Sequence, residues 1–209
     1  MNNKQKSLID SLIDEIQYGL EAIYSNNVPK NHNENTIELN KQQKLQSERI
    51  MRINHMGEVC AQALYRGQAA FTRKEKMKDQ LYKICDEENE HLKLCNLRLS
   101  ELNGEKSVLN PLWYAASFAL GAIAGLNENR WKLGFIEETE RQVKDHLEES
   151  ITSLPAQDSR SRLFLEEIAR DEEKHRDTVK NIGSEEVPKL VKKSMNGLSK
   201  IMKNITYHI

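Results

Sequence analysis

The chain has 209 residues, enough for one domain with a sizeable core. Its 31 basic and 32 acidic side chains leave a formal charge of -1, without the basic excess of a nucleic-acid-binding protein. The three cysteines, Cys60, Cys85 and Cys95, are odd in number and lack Cys-x-x-Cys spacing, so they read as reduced core thiols rather than a disulfide frame or a zinc site.

Few Gly and Pro, no run of alternating Val, Ile and Thr, and an abundance of Glu, Lys and Leu predict an all-α fold. Leu8, Ile9, Leu12, Ile13, Ile16, Leu20 and Ile23 predict an amphipathic helix over 7–24. Asp10, Asp14 and Glu15 interrupt its apolar residues, so the start does not read as a secretory signal, and a cytoplasmic location is expected. The Asn-rich stretch Val28–Asn40 reads as a loop. Helical patterns follow over 47–73, 77–102, 111–126, 129–154, 158–182 and 186–206. Asn103-Gly104, Pro111, Pro155, Gly183 and Pro188 separate them. Ser184, followed by Glu185 and Glu186, is the expected N-cap of the last helix. Residues 1–46 thus form an N-terminal amphipathic helix and polar loop, and residues 47–209 the domain that carries the chemistry.

One segment stands apart. No charged residue occurs from Ser107 to Asn127, and its middle reads PLWYAASFALGAIAGL. It approaches the roughly 20 apolar residues that span a bilayer, but Ser, Asn, Gly and Ala dilute it. Two readings stand: a buried core helix, or a helix whose apolar side meets a membrane or a greasy ligand, with Trp113 and Tyr114 suited to the interface.

Particular acidic residues and histidines interrupt the apolar stripes of the helices. In 77–102, Leu81, Ile84, Cys85, Leu92, Cys95, Leu99 and Leu102 form one face. Glu88 falls in its middle and His91 on its edge; Asp86, Glu87 and Glu90 point elsewhere. In 158–182, Glu172 and His175 lie within the stripe of Leu165, Ile168, Val179 and Ile182, while Glu166, Glu167, Asp171 and Glu173 lie off it. In 129–154, Glu140 interrupts the stripe of Leu133, Ile136, Val143, Leu147, Ile151 and Leu154; Glu137, Glu138 and Glu149 do not. In 47–73, Glu58 is the one acidic residue between Glu48 and Glu75, among Ile53, Met56, Cys60, Ala61, Ala63, Leu64 and Ala69.

Four helices therefore each place one glutamate where burial is expected, and two add a histidine three residues later. Chance supplies one or two Glu-x-x-His matches in a chain this rich in Glu, and Glu-rich helices are usually solvated faces. Here the neighbouring acids behave as surface groups and the four singled out do not. Buried carboxylates are costly unless paired, protonated or metal-bound, and four together call for cations. Glu58 and Glu88 lie 30 residues apart and Glu140 and Glu172 lie 32 apart, intervals that suit two antiparallel helical hairpins. A Glu on one helix and Glu-x-x-His on the next, twice over, is the ligand set of ferritin-like di-iron carboxylate bundles. Its oxygen and imidazole donors suit iron or manganese. His146 lies off its stripe and reads either as a partner of a ligand or as a surface histidine. His55 could orient Glu58 or be structural, Tyr65 reads as packing, and His32 and His208 lie in flanking regions.

The segments RINHMGEVCAQALYRGQ (52–68), DEENEHL (86–92), PLWYAASFALGAIAGL (111–126), GFIEETERQVKDHL (134–147) and RDEEKH (170–175) occur in the order found in the demethoxyubiquinone (demethoxyubiquinol) hydroxylases of ubiquinone biosynthesis. The chain resembles that family over about 47–207, with Asn54 where the family usually has Asp. The resemblance implies a ferritin-like four-helix bundle with extra N-terminal, membrane-facing and C-terminal helices. It implies two Fe ions held by Glu58, Glu88, His91, Glu140, Glu172 and His175. The reaction implied is hydroxylation of the ring of 2-polyprenyl-3-methyl-6-methoxy-1,4-benzoquinol, with O2 as co-substrate and NADH or the quinol as electron source. The uncharged segment, about 107–127, would meet the membrane surface, placing a peripheral protein on the cytoplasmic face of the cell membrane. A complex with other ubiquinone-biosynthesis enzymes and self-association are compatible with this reading. Two alternatives stay open at the level of sequence: a ferritin- or rubrerythrin-like iron-storage or peroxide-scavenging protein, and a metal-free lipid-binding bundle or assembly partner.

Overall fold

The computed structural model describes residues 8–25, 38–126, 131–181 and 186–209, and among these every regular element is a helix. In chain order they are α1 (Leu8–Tyr24), α2 (Lys41–Phe71), α3 (Glu75–Glu101), α4 (Asn110–Leu126), α5 (Trp131–Ser153), α6 (Ser159–Asn181) and α7 (Lys189–Thr206). The expected Ser184 cap, Gly183 and His32 lie outside the described residues, as does most of the Asn-rich loop. Instead of beginning near 186, the last helix starts at Lys189, with Pro188 as its N-cap residue. Proline suits that boundary because its ring fixes φ and it has no N–H to leave unpaired.

The second helix starts six residues before the apolar periodicity does. Asn40 accepts from the Gln43 N–H, and the Gln43 side chain accepts from the Asn40 N–H, a reciprocal capping box. The polar residues after it are carried into the helix by this cap rather than by burial.

The bundle is built from two hairpins, α2 with α3 and α5 with α6, which meet through α2 on α5 and α3 on α6. This is a ferritin-like arrangement, with α1, α4 and α7 packed outside it against α2. One apolar layer gathers Ile50, Met51, Leu94, Leu99, Leu147, Leu154, Phe164 and Ile168. A second gathers Ala61, Leu64, Leu81, Cys85, Phe135 and Ile136. On every bundle helix the interrupting glutamate falls between the residues of one layer and those of the other, or just beyond the first. The polar positions are thereby stacked as one stratum across the bundle. All three cysteines are free thiols, Cys85 and Cys95 fully buried.

The uncharged helix α4 has a core face and an apolar exposed face, and Trp113 and Tyr114, expected at an interface, lie on the core face. Trp113, Tyr114, Ser117, Gly121, Ala124 and Gly125 are buried. A Cβ on Gly121 would lie 2.0 Å from the Leu64 carbonyl oxygen, and one on Gly67 would lie 2.1 Å from that of Phe118. Glycine at both positions lets the two backbones touch. The opposite face leaves Leu112, Ile123 and Leu126 more than half exposed. No helix among the described residues is long and apolar enough to cross a membrane.

Candidate metal centre

The polar stratum brings all six sequence-selected residues together. Glu58, Glu88, His91 and Glu172 form one group of potential ligands, and Glu88, Glu140, Glu172 and His175 form another, with the donor atoms of each group all within 4.8 Å of one another. Glu88 and Glu172 belong to both. They are the two glutamates that precede a histidine by one helical turn, so the pseudo-symmetry of the hairpins places them at the shared middle. His91 turns Nδ1 toward Glu88 (3.0 Å), Glu172 (3.3 Å) and Glu58 (3.8 Å). His175 turns Nδ1 toward Glu88 (3.3 Å) and Glu172 (3.9 Å).

The electrostatics are those of four crowded carboxylates. Burial, then the charge of Glu88, pushes Glu58 well above the usual carboxylate range. Burial and the charge of Glu172 do the same to Glu140. For Glu172 burial acts upward, but the approach of Glu140, His175 and His91 outweighs it and holds its carboxyl low. The same crowding acts on the histidines. Burial lowers His91, yet Glu172, Glu88 and Glu58 push it up to about 12; the same balance, through Glu172 and Glu88, takes His175 to about 10. Even so, Glu58 Oε2, Glu88 Oε1, Glu140 Oε2 and His175 Nδ1 are buried without a hydrogen-bond partner among the described residues. Orphaned oxygens and an inward imidazole nitrogen on converging helices fit divalent cations as the missing partners. The cluster is able to bind metal.

Several details were not legible in the sequence. Tyr65, read as packing, donates its hydroxyl to Glu140 Oε1 at 2.5 Å. Glu138, placed off the stripe, is nevertheless only 4% exposed, because Arg141 and Gln142 fold over it and Lys192 of α7 approaches to 3.8 Å. His55 makes its side-chain contact with Asn110 at 3.3 Å. Asn54 donates to the Ile50 carbonyl and to Ser150. His146 is half-buried. It lines a cavity of about 140 Å³ bounded by α2, α4, α5 and α7, whose wall also includes Glu58, Ile53, Leu64, Phe135 and Met202. Its Nδ1 lies 3.4 Å from Lys203, and burial, with the Lys203 charge, lowers its pKa to about 4. Leu120 and Leu198, each partly exposed, also line the cavity, so a largely apolar cavity lies between this part of the surface and Glu58.

Residues 45–206 match the model of the family described as ubiquinone biosynthesis protein COQ7. The chain belongs to this family. Among COQ7-family relatives, the 3-demethoxyubiquinol 3-hydroxylase of Xanthomonas axonopodis pv. citri is 41% identical over 97% of this chain and 95% of the relative. Proteins of the same name are 41% identical in Laribacter hongkongensis, over 97% of this chain and 100% of the relative, and in Ralstonia pickettii, over 90% and 87%. The COQ7 match begins inside α2 and ends at the last residue of α7, so all six helices that touch the cluster or its cavity fall within it, apart from the first turn of α2.

Proposed function

We propose that this chain is a di-iron monooxygenase that hydroxylates the ring of a polyprenylated methoxy-benzoquinol, demethoxyubiquinol, in ubiquinone biosynthesis. The observation that carries the reading is the junction of two features: a six-residue Glu/His cluster that shares Glu88 and Glu172 between two groups of potential ligands, and a largely apolar cavity with Glu58 in its wall. Storage would need the first feature but has no use for the second.

The residues divide the work. Glu58, Glu88 and His91 on one hairpin, with Glu140, Glu172 and His175 on the other, would hold two iron ions. Bound iron would supply the redox chemistry with O2, using electrons from NADH or the quinol. Ile53, Met56, Leu64, Phe135 and Met202 would give the quinol ring an apolar berth beside the buried Glu58. The polar groups of Ser117, Gln142 and His146 in the same wall are available to the ring oxygens. Leu120 and Leu198 stand at the outer end, where Ile123 and Ile201, one turn further along α4 and α7, are exposed. A polyprenyl tail leaving there would pass into lipid under a protein that lies on the membrane surface without crossing it.

The test is turnover of ferrous-reconstituted protein with a short-tailed demethoxyquinol, NADH and labelled dioxygen, read by mass spectrometry. One labelled oxygen in the product is expected. Iron uptake far beyond two per chain, without labelled product, overturns the reading in favour of storage.

A further inference from the structure

We propose that Glu87 and Asp171 are positioning residues for the metal centre, each holding the outward nitrogen of the histidine carried by the opposite helix. Glu87, on α3, meets His175 Nε2 of α6 at 2.7 Å. Asp171, on α6, lies 3.6 Å from His91 Nε2 of α3. Both imidazoles present Nδ1 to the cluster, so each Nε2 points away from it into a groove of about 510 Å³ between α3 and α6. The carboxylates stand on that groove.

Each carboxylate immediately precedes a cluster glutamate of its own helix, Glu87 before Glu88 and Asp171 before Glu172. One residue back on a helix is a turn of roughly 100°. When Glu88 and Glu172 face the bundle interior, Glu87 and Asp171 are therefore swung onto the flank that faces the partner helix. The exchange is reciprocal: each helix donates a histidine to the centre and a carboxylate to its partner's histidine. A carboxylate that accepts from Nε2–H keeps the ring proton outside, leaves the Nδ1 lone pair turned inward and fixes the ring plane. The 2.7 Å contact is a hydrogen bond, whereas at 3.6 Å Asp171 is within ion-pair range of His91 but not hydrogen-bonded to it, so Glu87 carries more of the effect.

This inference rests on the metal-centre reading, and the experiment separates the two. Metal-free, full-length chain is titrated anaerobically with Co2+, following the visible d–d bands and the equilibrium affinity. Two cobalt ions per wild-type chain are expected. In Glu87→Ala one of them should bind ~10–100-fold more weakly, with shifted bands, the usual effect of losing an outer partner of a metal-bound histidine. Asp171→Ala should weaken binding less. Glu87→Gln, whose amide oxygen still accepts from Nε2–H, should recover much of the affinity. Glu90→Ala, in the same groove but paired with Lys93, should match the wild type. Circular dichroism of each variant establishes that the helices are retained. Wild-type affinity and spectrum in a folded Glu87→Ala chain overturn the inference alone. Failure of the wild type to take two ions overturns the metal-centre reading and this inference with it.

Discussion

At the scale of single residues, the carboxylates of the cluster are poorly compensated by protein alone. Glu172 is 2% exposed and faces both histidines, so its loss removes a ligand common to both cation positions. Glu172→Ala is expected to abolish iron binding and turnover together; metal analysis and activity on one preparation check this, and retained iron with full turnover would refute the assignment. Tyr65→Phe leaves Glu140 Oε1 without its donor inside the bundle. The expected loss is about 1–3 kcal/mol, read from the urea midpoint of the metal-free chain. His55 is wholly buried, and burial, with Lys106 acting the same way, lowers its pKa to about 3. Below about pH 6.5 the unfolded chain takes up a proton that the folded chain refuses until near pH 3, so stability falls as the pH falls through that window. His146, lowered to about 4, acts in the same direction. Metal-free His55→Gln should lose less stability between pH 7 and pH 5 than the parent chain. The six cluster positions were legible because a buried charge breaks an apolar stripe within its own helix. The Tyr65–Glu140 bond was not, since 75 residues separate its partners and either could have paired elsewhere.

At the scale of elements, sequence pattern located each helix among the described residues, and the errors lie at the ends, where capping and not burial decides. The Asn40–Gln43 box extends α2 into a polar stretch that no stripe analysis reaches. Contact between α2 and α4 depends on glycine at the touching points. In Gly121→Ala the new methyl meets the Leu64 carbonyl, which cannot yield as a side chain does. The overpacking is expected to cost at least ~1–3 kcal/mol, and a thermal melt should show Tm lowered by several degrees. Gly197→Ala offers the contrast: nothing lies within 4 Å of its Cβ position on α7, so it should gain about 0.5–1 kcal/mol from helix propensity. Glu138 shows the limit of a one-helix view, because Lys192 arrives from α7 to help cover a group that its own helix leaves at the margin.

At the scale of the whole molecule, the exposed apolar residues of α4 and α7 surround the mouth of the cavity. If that face lies on lipid, Ile123→Glu should weaken liposome co-sedimentation roughly tenfold or more, from the transfer free energy of one buried aliphatic side chain, while the melting temperature stays near that of the parent. The sequence by itself determined the all-α class, the two hairpins, the buried glutamates and histidines, and the departure of 107–127 from the rest, because each is a periodicity or a composition within one helix. Only the tertiary structure decided which glutamates are shared between the two groups, that α4 is half core and half exposed, and that an apolar cavity beneath α4 and α7 has Glu58 in its wall. It also turned the acids flanking the motifs toward the opposite helix. Those properties depend on how helices far apart in the chain rotate and approach one another, and that relation is set by packing between helices rather than by the pattern along any one of them.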